Sequence, residues 1–227
     1  MGAKGCRLAE VARLPLNRQR VLQAALRLVD QEGLDSLSMR RLGQELGVGA
    51  TALYNHVADK AAMLDGLVET ALGEVPLPPG EDADWMAAIR SICRSLRQVI
   101  HRHPNLVPLI AGRPFNSPGA LRPVEVMFEV LCRAGFEEHL VVEGQRALSG
   151  FVLGYVQMEL GGAIFRPPEM RTDNHPIDIR RLPEADFPRI RAFAPYLVHY
   201  YYSDDAFERG LDVIFAGLQA ALEQPDS

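Results

Sequence analysis

Between Ser38 and Lys60 the chain reads SMRRLGQELGVGATALYNHVADK, and the polar side chains that this stretch turns outward are Arg40, Thr51, Tyr54, Asn55, His56 and Lys60. Each can donate hydrogen bonds and none is acidic. Such a surface suits phosphate oxygens and base edges, which offer mainly acceptors. The residues between them say what would hold the set in place. Ser38 can cap a short helix whose apolar face is Met39, Leu42 and Leu46. Gly43 stands where a second helix would cross closely, and Gly47 can take the left-handed conformation that lets the chain leave the first helix and turn. Val48 then fills the angle, a second helix opens at Gly49 or Thr51, and Leu53 and Val57 point back at the first. Any two-helix corner of a helical protein needs the same glycine turn, apolar plug and solvated face, so spacing alone leaves the surface unassigned.

Other chemistry is poorly provided for. The sequence has no GxSxG, no GxxxxGKS/T, no HExxH and no GxGxxG. Glu143 and Glu159 fall on one predicted helix, but 16 residues separate them, about 24 Å along the axis, too far to act as a pair. His101 and His103 end another helix. No third ligand stands at a suitable spacing, so neither a metal nor a cofactor is expected, and cations there suit the negative end of the helix dipole. Cys6, Cys93 and Cys132 make no CxxC pair and no disulfide framework. The formal charge of −5 conceals an asymmetry: residues 1–60 carry nine Lys or Arg against six Asp or Glu, net +3, and the remainder 15 against 23, net −8. A mildly basic head on an acidic body confines attraction for phosphate to the head.

Along the chain, residues 1–15 hold Lys4, Arg7 and Arg13 against Glu10 and show no periodicity, which predicts a flexible arm. Asn17 can cap a helix running to about Gln31, stopped by Gly33. A helix over 61–72 then connects the head to the larger part of the chain. The prolines, glycines and acids of 73–84 mark a boundary or long loop. Helical spacing resumes over 85–102, 117–134 (with Pro123 expected to kink or shorten it), 137–164, 193–202 and 204–222. Gly150 and Gly154 form a small-xxx-small step expected to bring another helix close. Residues 166–188, rich in proline and charge, read as a connector or as a flap over a ligand entrance. No long stretch alternates with period two, so the expected fold is all-α: a three-helix N-terminal domain over 1–72 and a larger helical domain over 73–227. No apolar run approaches the ~20 residues needed to span a bilayer, and a soluble, cytoplasmic protein is expected, with no membrane partner.

The run GVGATALYNHVADKAAMLDGL resembles the helix-turn-helix and following helix of the tetracycline-repressor (TetR) family of transcription regulators, matching at Gly47, Val48, Leu53, Tyr54, His56, Val57 and Lys60. The segments LVPLIAGRP, FEVLCRAGF and ALSGFVLGYV are similar to that family's regulatory domain, extending the likeness to about residue 160. The resemblance implies that Tyr54, His56 and Lys60 contact phosphate. Thr51 or Ala52, with Arg40 from the preceding helix, would meet base edges, where arginine bidentate to guanine is the strongest pairing. Asn55 stands where the family commonly has an aromatic residue. It also implies a repressor whose C-terminal cavity binds a small molecule that lowers operator affinity; a ~100-fold loss needs about 2.7 kcal/mol of coupling. Alignment puts Pro76, Ile92, Leu96, Leu109 and Met158 at five positions where tetracycline repressors hold drug and magnesium, while Arg113 and Pro114 are retained. Magnesium demands oxygen ligands, so tetracycline is not expected. A hydrophobic effector contacted by Leu96, Leu109, Arg113, Tyr155 and Met158 is.

The long glycine-containing helix and the last helix carry more apolar surface than one subunit covers, which predicts a two-fold homodimer on a palindromic operator; family members dimerise through those helices. Two other classes suit an all-helical chain, a partner-binding module and a helical enzyme. Steep salt dependence of binding to duplex DNA distinguishes the regulator from the module. Lys60→Ala is expected to weaken binding to all sequences alike, whereas Arg40→Ala relaxes sequence preference by ~1–3 kcal/mol; equal behaviour of the two across operator mutants would sink the assignment.

Overall fold

The computed structural model describes residues 15–78, 84–161, 182–200 and 203–223. The N-terminal arm up to residue 14, most of the proposed connector or flap, and residues 162–164 of the predicted long helix lie outside them. Among the described residues there are helices and no strands: α1 (Arg18–Glu32), α2 (Met39–Leu46), α3 (Ala50–Leu53), α4 (Lys60–Leu72), α5 (Trp85–Arg102), α6 (Val107–Gly112), α7 (Pro118–Arg133), α8 (Glu138–Gly161), α9 (Pro188–Tyr200) and α10 (Asp204–Glu223), with 3-10 turns at Leu34–Ser36 and Pro104–Leu106. The chain folds as two compact units, Met1–Glu81 with Arg94–Met127, and Asp82–Cys93 with Phe128–Ser227. The division passes through α5 and α7.

In the first unit, local chemistry sets the helix ends. Asn17 caps α1, its Oδ1 accepting from the Arg20 N–H at 2.8 Å, and Gly33, at φ 83°, ends it. Asp59 caps α4 in the same way through the Ala62 N–H, so that helix starts one residue earlier than expected. The core is the apolar face of α1 (Val21, Leu22, Ala25, Leu28 and Val29) against Met63, Leu67, Val68 and Ala71 of α4. Gly66 permits this approach, since a Cβ there would lie 2.5 Å from Leu22 Cδ2. Acids of α4 and of the turn after it meet bases from three other elements: Glu69 with Arg18 at 2.8 Å, Asp65 with Arg113 at 2.9 Å, and Glu74 with Arg102. Exposed pairs of this kind contribute little stability each. They tie α4 and the turn after it to α1, α5 and the residue after α6.

In the second unit, Trp85 meets Phe136 and Phe215 edge-on, at centroid separations of 5.1 and 5.7 Å. The Arg90 guanidinium lies 4.8 Å from the Phe215 ring centroid and bonds Glu208 and Asp212. Burial would lower its pKa, but the two carboxylates outweigh that and raise it. Burial pushes the Cys93 thiol up to about 12, so at neutral pH it behaves as a small apolar side chain. Phe151 of α8 stacks on Phe207 of α10, and Tyr155 of α8 meets the same ring edge-on.

Three expectations need correction. Pro123 does not shorten its helix: α7 runs continuously through it. α9 starts at Pro188 rather than Phe193, because proline at a first helical position has its φ already set and loses no bond. No helix of the same chain packs on the Gly150–Gly154 step, for nothing described lies within 4 Å of a Cβ built at either. The close approaches are at Gly144, where a Cβ would sit 2.9 Å from Leu218, and at Gly210, where it would sit 2.4 Å from Phe151. Gly210→Val should therefore overpack the α8–α10 contact and lower unfolding stability by ~1–3 kcal/mol in a urea titration; an unchanged midpoint would mean that the Phe151 ring has room to retreat.

Candidate nucleic-acid interface

The corner at 38–57 forms as its residues demand. Ser38 caps α2 by accepting the Arg41 N–H at 3.2 Å, and the helix ends at Gly47 in the left-handed conformation, φ 68° and ψ 29°. The Val48 N–H then returns to the Gly43 carbonyl at 2.9 Å. Gly43 is buried at the crossing, where a Cβ would come 2.8 Å from Val48 O and 3.3 Å from Ala50 N. Backbone on both sides leaves no side chain to give way. Leu42 and Leu53 are fully enclosed and Val57 nearly so. α3 itself is only Ala50–Leu53, and the chain continues as a turn in which the His56 and Val57 N–H groups both reach Leu53 O.

This framework leaves most of the donor set in solvent. Arg40, Thr51, Tyr54, Asn55 and Lys60 are exposed, Tyr54 at 52%, while Ala52 and His56 are half-buried. Lys60 opens α4 beside its capping Asp59. Neighbouring Arg41 does not belong to the surface, because it bonds Glu32 and Glu45, which raise its pKa above that of a free guanidinium. Acidic side chains do border the donor set, but Glu45 is paired with Arg41 and Asp59 is held as a helix cap. Sequence spacing could not show that Arg40 and Arg41 differ in this way. The distinction comes from Glu32, at the end of α1.

The residues expected to meet an effector fall on both units. In the first, Leu96 is half-buried on α5, Leu109 is buried on α6, and Arg113, just beyond α6, bonds Asp65 while its Nε is buried with no hydrogen-bond partner. In the second, Tyr155 packs on Phe151 and Phe207, and Met158 is 51% exposed. Among the described residues no three His, Cys, Asp or Glu side chains gather as metal ligands would. His103 is instead buried against Asp30 and Glu74, two partners that its own neighbourhood in the sequence does not reveal.

Residues 21–67 match the model of bacterial regulatory proteins of the tetR family, and residues 77–222 match the tetracyclin repressor-like C-terminal domain. The chain belongs to the TetR family. The likeness thus reaches well beyond residue 160, to residue 222. An HTH-type transcriptional regulator of Saccharopolyspora erythraea is 32% identical over 90% of this chain and 85% of its own length. The HTH-type transcriptional repressor DrrR1 of Streptomyces coeruleorubidus is 30% identical over 92% and 76%. Among solved structures, apo ActR of Streptomyces coelicolor superposes with a TM-score of 0.78 at 31% identity, covering 94% of this chain and 99% of that one. ActR has also been solved with actinorhodin. This TetR-family chain is accordingly a helix-turn-helix, DNA-binding regulator of transcription, and among its described residues no helix is long and apolar enough to cross a membrane.

Its corner can be tested by two glycine substitutions. Gly43→Ala should cost ~1–3 kcal/mol of stability through overpacking and weaken DNA binding, whereas Gly49→Ala, at φ −66° with nothing within 4 Å, should leave both unchanged. Equal effects in thermal melts and gel-shift titrations would show that the crossing is looser than drawn.

Proposed function

We propose that the protein is a homodimeric repressor that holds a palindromic operator and releases it when a small hydrophobic effector binds. The observation that carries this reading is the exposed donor surface around the Gly47 corner, whose bordering acids are all engaged elsewhere. Arg40, with Thr51 or Ala52, would read base edges, and Tyr54, His56 and Lys60 would contact phosphate, with Asn55 exposed among them. Residues 1–72 serve as the DNA-binding domain and 73–227 as the effector and dimerisation domain, a division that the two matched family models support.

The effector candidates remain Leu96, Leu109, Arg113, Tyr155 and Met158, each on its own chemistry. Four offer apolar or aromatic surface and the fifth a guanidinium with one unused donor. The complex of ActR with actinorhodin supports an organic small molecule as the signal. Pro76, Ile92, Leu96, Leu109 and Met158, the residues aligned with five drug- and magnesium-holding positions, carry no side-chain oxygen for magnesium, which speaks against a metal-chelated drug. Dimerisation is supported by the open flanks at Gly150 and Gly154 of α8, and by Val142 of α8 and Val213 of α10, 47% and 75% exposed. We read the protein as a cytoplasmic regulator without catalytic activity or cofactor.

Selection from random duplex DNA tests the proposal directly. The retained fragments should share a palindrome with half-sites about one helical turn apart or somewhat more, with affinity falling steeply as salt rises. Retention of no duplex at low ionic strength would overturn the reading.

A further inference from the structure

Arg40 and Arg41 stand side by side at the start of α2, and positions one residue apart on a helix point about 100° from each other. Arg40 is exposed and forms no ion pair among the described residues. Arg41 turns toward the end of α1. There its Nε donates to Glu32 Oε2 at 3.3 Å and one Nη donates to Glu32 Oε1, while the other Nη donates to Glu45 Oε2, one turn further along α2, at 3.2 Å. All three guanidinium nitrogens are thus engaged by carboxylate oxygens. Neither acid pairs with another cation among the described residues.

Stability does not account for this fork. The side chains of Arg41, Glu32 and Glu45 are 34%, 38% and 43% exposed, and pairs so exposed contribute little. The limits of α2 are set elsewhere, by the Ser38 cap, the left-handed Gly47 and the crossing at Gly43. What the fork changes is the availability of a cation. The first helix of a helix-turn-helix crosses the DNA backbone, and a guanidinium is the side-chain group whose geometry matches phosphate best. The Cα of Arg41 is about 3.8 Å from that of Arg40, and its side chain is equally long. A phosphate approaching Arg41 meets a guanidinium that is already neutralised, with two carboxylates beside it well within a Debye length of about 10 Å.

We infer that Glu32 and Glu45 are positioning residues for DNA binding that act through Arg41: they hold its guanidinium off the phosphate backbone, so that α2 offers DNA only one arginine of its adjacent pair. The inference rests on the reading that the surface around the Gly47 corner is the face that meets DNA. Phosphate contacts add affinity without sequence information. Withholding one keeps sequence-independent binding low and leaves α2 to contribute through Arg40 at the base edges.

Binding of the full chain to a random-sequence duplex, followed from about 50 to 200 mM salt, counts the phosphates engaged, because each adds about 0.9 to the slope of log affinity on log salt. Glu32→Ala combined with Glu45→Ala should steepen that slope by about 0.9, a roughly 3.5-fold greater loss over the range. Adding Arg41→Gln should return it to the wild-type value. A purely structural fork would leave the slope unmoved, and equal slopes in all three proteins would refute the withholding of Arg41. So would a slope that stays steep in the triple variant, since relief of repulsion by the acids, and not the freed guanidinium, would then be responsible. Circular dichroism melts establish that the variants fold; should the double variant not fold, Glu32→Ala alone, which removes two of the three bonds, carries the comparison. In either refutation wild type would still select a palindrome, and the regulator would stand. Wild type that retained no duplex at low salt would remove both readings together.

Discussion

The passage of one backbone over another at Gly43 is the constraint from which the DNA-binding head is built. A carbonyl oxygen 2.8 Å from where a Cβ would stand permits no side chain there, and the left-handed Gly47 is what brings that carbonyl into position. The two glycines fix the angle between α2 and α3 with little help from side-chain packing. Leu42, Leu53 and Val57 then close the inner side of the angle, and the remaining residues have nowhere to go but outward. The donor surface is thus a by-product of a backbone crossing. Its precision belongs to the main chain, the least mutable part of the structure.

Around this corner the charged residues divide into two populations. Arg41, Glu45 and Asp59 are engaged within the head. Arg40 and Lys60 are left facing solvent. A phosphate-binding surface needs cations that are not already neutralised, so the pairing of Arg41 shapes the interface as much as the exposure of Arg40 does. The same economy governs α4. Its acids, with Glu74 just beyond, take bases from α1, α5 and the segment after α6, and each such bond ties the connector to a different neighbour. Individually these exposed pairs are weak. Their distribution still makes the position of α4 depend on several elements at once.

The regulatory half is organised by apolar and aromatic contacts instead. Trp85, Phe136 and Phe215 interlock, Phe151 and Tyr155 close on Phe207, and Gly210 admits the Phe151 ring where any larger residue would exclude it. Arg90 is held among the aromatics by two carboxylates and a ring face.

The amino-acid sequence by itself determined the all-α class, most helix limits, the caps at Asn17 and Ser38, the left-handed turn and the donor set. Each of these is settled within about one helical turn by periodicity, capping or conformational freedom, and each can be read without knowing what lies across the fold. The family was legible for the same reason, since its signature is carried by a short run of fixed spacing. Tertiary structure alone decided which charges are spoken for and which glycines are crowded. Arg41 meets Glu32 nine residues away, Arg113 meets Asp65 across 48, and His103 meets Asp30 across 73. Gly210, which looks no different from Gly150 in sequence, is crowded because a ring from another helix arrives there. Partners so distant along the chain are chosen by how helices pack, and no local pattern records that choice.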